Sequence, residues 1–166
     1  MRLRRRLIQA TLALALSALL IPPFAWPLRG GARLSSPWAF RRNPLSLSPL
    51  AIEFHEGMDL AAPAGSAVHA AAPGIVAEAG WSASEGNYVR IRHLLGFESV
   101  YAHLSRSSVK AGSLVLARGL QVIGEVGATG RATGPHLHFE LRAGGRSLPP
   151  GLLLVPHSAR LAILGF

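Results

Sequence analysis

Histidine and aspartate recur in this sequence at spacings that metal sites use. His55 and Asp59 stand four positions apart around Gly57, and His136 and His138 form a His-x-His pair. On an extended segment alternate side chains share one face, so both members of each pair can point to the same place. Two imidazoles and one carboxylate, from His55, Asp59 and His138, make a three-ligand set. Three protein ligands with a fourth position open to water are typical of a catalytic zinc, and we predict one Zn²⁺ there.

Either motif alone is weak evidence, because both arise easily by chance. Here they occur together, each beside Gly or Pro residues that break helices and each ahead of a strand-like run. Three further histidines, His69, His93 and His157, are interpreted as ordinary surface or core residues. The chain has no Cys, which excludes a disulfide framework and a Cys-type zinc site. Any metal must therefore be held by His and carboxylate.

The first residues have the pattern of a targeting segment. Four Arg lie within Met1–Arg6, and an apolar run from Leu7 to Ile21 ends at Pro22-Pro23. This pattern predicts a secretory signal peptide or a retained signal anchor, forming an apolar helix, over residues 1–27. The run is shorter than the roughly 20 residues that span a bilayer comfortably, and no cleavage site is well placed, so both alternatives stay open. Either one exports the chain, to the periplasm or to the outer face of the cytoplasmic membrane, where an uncleaved segment would hold it.

The charge of the chain is basic throughout. The net charge is +9, and +5 of it remains from Arg29 onward, after the leader's four Arg are set aside. A moderately basic exported domain suits an anionic cell wall or membrane surface. Its basic residues are scattered rather than clustered, so no nucleic-acid partner is predicted. The G-x-x-x-x-G-K-[ST] pattern is absent, which argues against nucleotide binding.

Short apolar runs predict the fold. After a Gly/Arg/Ser-rich segment at 28–36, interpreted as a linker, Val- and Ile-rich runs recur about every ten residues. Regular short strands with turn residues between them favour an all-β, antiparallel sandwich or barrel-like sheet with little helix. We predict one domain over 37–155, followed by a C-terminal tail over 156–166. The predicted strands lie at 66–70, 74–79, 87–93, 98–103, 114–116, 121–126 and 136–142.

These motifs resemble those of the lysostaphin/LytM-type zinc endopeptidases. The segment Leu34–Pro44 resembles the family's S-x-F-G-x-R-x-x-P, with Ala39 where a Gly is usual. His55–Pro63 matches H-x-G-x-D-x-x-x-P, and Thr133–Glu140 matches the family's second histidine motif almost letter for letter. The resemblance runs from about residue 34 to 150, or 117 of 166 residues.

The resemblance implies a fold, a cofactor and residue roles. It implies the duplicated hybrid motif fold, one Zn²⁺ on the three predicted ligands, and His103 and His136 as catalytic histidines beside the metal. Which of the two is the general base stays open. Glu140 and Tyr101 are candidates for supporting the site, but both fit ordinary strand positions equally well.

The implied activity is hydrolysis of peptide bonds in peptidoglycan stem peptides. The alternative is a non-catalytic peptidoglycan-binding regulator that activates another hydrolase. Family members of that kind usually lack one or more ligands, and all five key positions are present here, which favours an enzyme. A purely structural zinc would have four protein ligands. Whether the cross-link contains meso-diaminopimelate or a glycine bridge stays open.

Overall fold

The computed structural model describes residues 24–30, 32–48, 50–116 and 119–155. Within these ranges the regular secondary structure is almost entirely strand, with one 3₁₀ turn at Leu94–Gly96 and one short helix, α1, at Pro150–Leu153. The strands are β1 (Phe24–Ala25), β2 (Arg33–Ser36), β3 (Ala39–Arg42), β4 (Ile52–His55), β5 (Met58–Ala61), β6 (Ala67–His69), β7 (Gly74–Ser82), β8 (Gly86–Arg92), β9 (Phe97–Ser107), β10 (Leu114–Val115), β11 (Val122–Val126), β12 (His136–Ala143), β13 (Arg146–Leu148) and β14 (Leu154–Val155).

One antiparallel sheet dominates the described chain. Its main path runs β10-β7-β8-β9-β12-β5-β2, while β11 pairs with both β6 and β9, and β13 pairs with β12. The strands β3 and β4 form a separate antiparallel hairpin, and β1 and β14 form a parallel pair. The predicted all-β, antiparallel fold is confirmed. All seven predicted strands are present, with bounds that differ by a few residues.

Apolar side chains alternate with polar ones along strands such as β8, and the apolar side chains form the core. In β8, Val89 and Ile91 are buried, while Arg90 between them pairs with Glu78 on the neighbouring β7 at 3.2 Å. An antiparallel sheet with one covered face produces this pattern. Apolar side chains from β5 to β12 join one buried cluster. Phe24, from the first described strand, is fully buried in the same cluster.

Both described parts of the segment predicted as a linker, 28–30 and 32–36, pair with strands of the folded domain. Leu28 is buried and bridges to Val68, and β2 (Arg33–Ser36) pairs with β5 at the end of the sheet path. The sequence misses β2 because an edge strand with mostly exposed side chains lacks apolar alternation. Most of the predicted signal segment at 1–27, its apolar helix included, lies outside the described residues, as does the predicted tail at 156–166. Across the described ranges, no helix has the length and apolar character that a membrane crossing requires.

Ala39 occupies a backbone conformation that favours glycine. Its φ is 154°, at the start of β3. Such conformations cost a non-glycine residue about 1–3 kcal/mol. We therefore expect Ala39→Gly to raise the free energy of unfolding by about 1 kcal/mol, after subtracting the roughly 0.5–1 kcal/mol that glycine loses in strands. Urea denaturation monitored by circular dichroism measures it. Ala77→Gly, on β7 with a negative φ, is the control and should lower stability. Destabilisation by both substitutions would contradict the strain argument.

Candidate metal centre

Three potential ligand atoms converge at one end of the sheet. His55 Nε2 lies 3.1 Å from both Asp59 Oδ1 and His138 Nδ1, and the latter two atoms are 2.8 Å apart. In a tetrahedral site with bonds of about 2.0–2.2 Å, neighbouring ligand atoms lie about 3.3 Å apart. The triangle is therefore close to the size that such an ion needs. Two imidazole nitrogens and one carboxylate oxygen make a suitable donor set, and the three residues form a group that could hold a metal ion.

The sheet register brings these ligands together. Asp59 on β5 stands directly opposite His138 on the neighbouring β12. His55 ends β4, and a bend at Glu56-Gly57 separates it from β5. The expectation that His55 and Asp59 share one extended segment is therefore wrong, although their side chains do meet. The close approach of this bend to β12 requires glycine, because a Cβ at Gly57 would lie 2.5 Å from the Phe139 carbonyl oxygen and 2.9 Å from His138 Cε1.

Each ligand is held in place by a partner on its far side. His55 Nδ1 donates to the Pro37 carbonyl at 2.9 Å, and His138 Nε2 donates to Glu140 Oε1 at 3.0 Å. Arg41 donates to Asp59 Oδ2 at 2.6 Å. Such contacts fix ring orientation and leave one nitrogen of each histidine for a metal. His55 therefore presents Nε2, and His138 presents Nδ1.

Burial and hydrogen bonding oppose each other at Asp59 and His138. Burial alone would raise the pKa of Asp59, but hydrogen bonds with His138 and His55 outweigh it and hold the pKa well below its usual range. Burial alone would lower the pKa of His138, but hydrogen bonds to Asp59 and Glu140 raise it. Without a metal the pair is a carboxylate and an imidazolium. A metal must displace that proton, so binding releases it and weakens as the pH falls.

A bulge in β9 aims His103 at this cluster. In the pairing of β8 with β9, Val89 faces Tyr101 whereas Asn87 faces Leu104, so β9 carries one extra residue there. His103 has a φ of 61°, and its backbone N–H donates to the Glu85 carbonyl at 2.7 Å. Bulges beside functional sites re-aim side chains. The strained backbone places the His103 ring against that of His136, with centroids 4.7 Å apart.

His103 and His136 share one hydrogen-bonding arrangement. His103 Nδ1 donates to the Thr129 carbonyl and His136 Nδ1 to the Gly134 carbonyl, both at 2.8 Å. Each ring then keeps Nε2 for the cleft, and His136 Nε2 lies 3.8 Å from Asp59 Oδ1. Burial lowers the pKa of His103 to about 4, so its ring is neutral at neutral pH. The predicted placement of His136 and His138 on one face of β12 is confirmed.

Of the other residues discussed in the sequence analysis, some contact the ligand cluster and others lie away from it. Glu140 contacts His138, as described above. Tyr101 is away from the site, and its fully buried hydroxyl accepts from the Ala71 N–H at 2.7 Å. His69 and His93 are buried outside the ligand cluster, as interpreted, and His157 lies outside the described residues. Sequence reasoning missed Arg41, although it is the Arg of the entry motif, because spacing alone does not reveal its contact with Asp59.

We expect Glu140→Gln to weaken metal binding roughly 10-fold, the lower end of the usual effect of losing such a partner. The amide keeps a hydrogen-bonding oxygen but loses the charge that strengthens His138 as a ligand. Titration against a chromophoric chelator measures the affinity. Glu125→Gln, which breaks an exposed ion pair with Arg106, is the control. Equal metal affinities for the Glu140→Gln variant and the unaltered protein would contradict this role.

Comparison with known proteins shows that the chain matches a protein family. The model of Peptidase family M23 matches residues 53–150, a range that contains the three predicted metal ligands and the two predicted catalytic histidines. The matched range covers more than half of the chain.

Individual relatives agree with the family match. The chain is 44% identical over 124 residues to the DD-carboxypeptidase/endopeptidase Mpg of Neisseria meningitidis, covering 75% of this chain and 27% of that protein. It is 40% identical over 137 residues to the peptidoglycan DD-endopeptidase ShyC of Vibrio cholerae, covering 78% and 31%. A zinc-containing peptidase from Vibrio cholerae superposes with a TM-score of 0.70 at 34% identity, covering 77% and 39%. The chain thus spans about a third or less of these two sequence relatives' lengths.

Proposed function

Because this chain belongs to peptidase family M23, we propose that it is a zinc-dependent endopeptidase that hydrolyses peptide bonds in peptidoglycan. The observation that carries the proposal is the joint presence of the ligand cluster and two histidines whose Nε2 atoms are left for the cleft. The names of the relatives support the substrate, and the zinc-containing neighbour supports the metal. Two imidazoles and one carboxylate are a donor set that suits catalytic zinc.

In the proposed mechanism the metal would activate a water molecule, and the two histidines would transfer protons. Zinc on His55, Asp59 and His138 would supply a water molecule acidified to a pKa of about 7. His103 and His136 stand where a proton can be taken from the attacking water and returned to the departing amine. The Thr129 and Gly134 carbonyls hold both rings in the tautomer that keeps Nε2 as an acceptor. The low pKa of His103 suits it as a neutral acceptor.

Digestion of defined cross-linked muropeptides by the zinc-loaded protein tests the proposal. Mass analysis should show products cut at the interpeptide bond, and the His138→Ala variant, as the matched control, should give none. Binding of peptidoglycan without any cleavage would contradict an enzyme and support the non-catalytic regulator instead. A complete set of ligands and histidines argues against that alternative.

We also propose that the protein acts outside the cytoplasmic membrane. The support is the Arg cluster within Met1–Arg6 before a short apolar run, since basic residues stay on the cytoplasmic side. A reporter that is active only after export, fused after Phe166, should be active. Neutralising Arg2, Arg4, Arg5 and Arg6 should reduce that activity. A reporter active only in the cytoplasm would overturn the proposed location.

A further inference from the structure

An arginine outside the ligand cluster lines the same cleft as the two histidines. Arg131 precedes β12, is exposed, and shares the walls of this cleft with His103, His136 and Asp59. Within the described part of the chain, its guanidinium has no ion pair and no hydrogen bond. A cation in this position is available to a bound ligand.

The backbone that carries Arg131 is firmly held. Its N–H donates to the Ser84 carbonyl at 3.0 Å. Two residues earlier, the Thr129 carbonyl orients His103, and the Thr129 hydroxyl donates to the Leu104 carbonyl at 2.7 Å. The same loop therefore positions a ring at the reacting centre and presents a guanidinium beside it. Because the backbone that carries the Arg131 side chain is already ordered, less conformational entropy is lost when a ligand binds to it.

The acids near this cleft already have cationic partners. Arg41 pairs with Glu53 at 3.0 Å and with Asp59 at 2.6 Å. Arg90 lies 3.8 Å from Glu85 on the turn before β8. The positive charge of Arg131 is therefore left over. A planar guanidinium binds a carboxylate through two parallel hydrogen bonds, which makes a carboxylate the best-matched ligand.

One class of peptidoglycan cross-link carries a free carboxylate next to the bond that is cut. Where D-alanine is joined to the D-centre of diaminopimelate, the carbon that bears the leaving amine also bears a free carboxylate. In a glycine bridge, the corresponding carbon is followed by another amide and has no charge. We infer that Arg131 binds the carboxylate on the carbon bearing the leaving amine, and so selects diaminopimelate-type cross-links over glycine bridges. This inference rests on the proposed peptidase function.

A second exposed arginine provides an internal comparison. Arg42 lines a neighbouring cleft that also contains His136 but not His103. Arg131 is the better candidate because its cleft contains both histidines that handle protons at the leaving amine. Arg146 on β13 is exposed and lines neither cleft, which makes it a matched control.

The test uses the full zinc-loaded chain and two synthetic cross-linked peptides, which differ only in whether that carboxylate is free or amidated. We expect Arg131→Ala to lower kcat/KM for the free carboxylate by roughly 10- to 100-fold, the scale of a charge-assisted hydrogen bond. On the amidated peptide the variant and the unaltered protein should be nearly equal. Arg131→Lys should recover part of the loss, zinc content should stay constant, and Arg146→Ala should change nothing.

Several outcomes would overturn the inference while leaving the peptidase function intact. One is an equal loss on both peptides, which would indicate a structural role for Arg131. Another is discrimination that disappears in Arg42→Ala but persists in Arg131→Ala. A third is faster cleavage of a glycine-bridged peptide than of the free-carboxylate peptide. If the unaltered protein cleaves none of these peptides, the proposed function itself fails, and the role of Arg131 falls with it.

Discussion

Replacing His138 with Ala is expected to remove most of the bound zinc and to lower peptide hydrolysis by at least about 10³-fold. The Nδ1 atom of His138 is one of the three proposed ligand atoms among the described residues, and the two that remain would compete poorly with water and buffer for the metal. Loss of the metal removes several kcal/mol of transition-state stabilisation, and each 1.36 kcal/mol is about tenfold in rate. His55→Ala and Asp59→Ala should behave in the same way. Elemental analysis and single-substrate kinetics measure the two effects.

A matched control separates metal loss from general damage. His93→Gln alters a buried histidine that donates to the Pro73 carbonyl, outside the ligand cluster. It should keep stoichiometric zinc. Full zinc and full activity in His138→Ala would show that the proposed coordination is wrong.

His103→Ala and His136→Ala are expected to keep zinc yet lose hydrolysis by roughly 10²-fold or more, the usual scale for general acid–base groups. Neither ring belongs to the triangle of ligand atoms, so the metal should stay. Each ring leaves Nε2 for the cleft, and no other described imidazole lines it. Zinc content and kcat should be measured on the same samples.

Two results would contradict these roles. Unimpaired turnover in both variants would remove the histidines from the mechanism. Loss of zinc in His136→Ala, with zinc retained in His138→Ala, would mean that the other member of the His-x-His pair is the ligand.

The sequence predicts strands such as β8 because the burial of their side chains alternates. Val89 and Ile91 in β8 show the period of two that a half-covered sheet imposes. The His-x-His pair follows the same rule, which is why spacing alone places His136 and His138 on one face. Elements at the edges of the fold escape this reasoning. The strand β2 is mostly exposed, and β1 is only two residues long.

The finer geometry of the site depends on contacts that no local pattern contains. Arg41 reaches Asp59 across 18 positions of sequence, and His55 meets His138 across 83. The left-handed backbone at His103 is equally invisible in the sequence, because this conformation usually signals glycine. The surrounding structure holds it there, through the Glu85 and Thr129 carbonyls. The family resemblance identified His103 where spacing could not.

The parallel pair of β1 and β14 determines when the domain can be completed. It joins Phe24 to Leu154, which are 130 positions apart in the sequence. Contacts between residues far apart in the sequence form slowly, because the entropy lost in closing a long loop must be paid before the contact stabilises the fold. During synthesis Phe24 emerges early. Its ring can pack against His93 and Phe97 before its strand partner Leu154 has been made. Asp59 on β5 likewise lacks its strand partner His138 until β12 has been made. A chain that has been made only as far as β11 therefore lacks one of the three proposed metal ligands, so the proposed site can assemble only after β12 has been made.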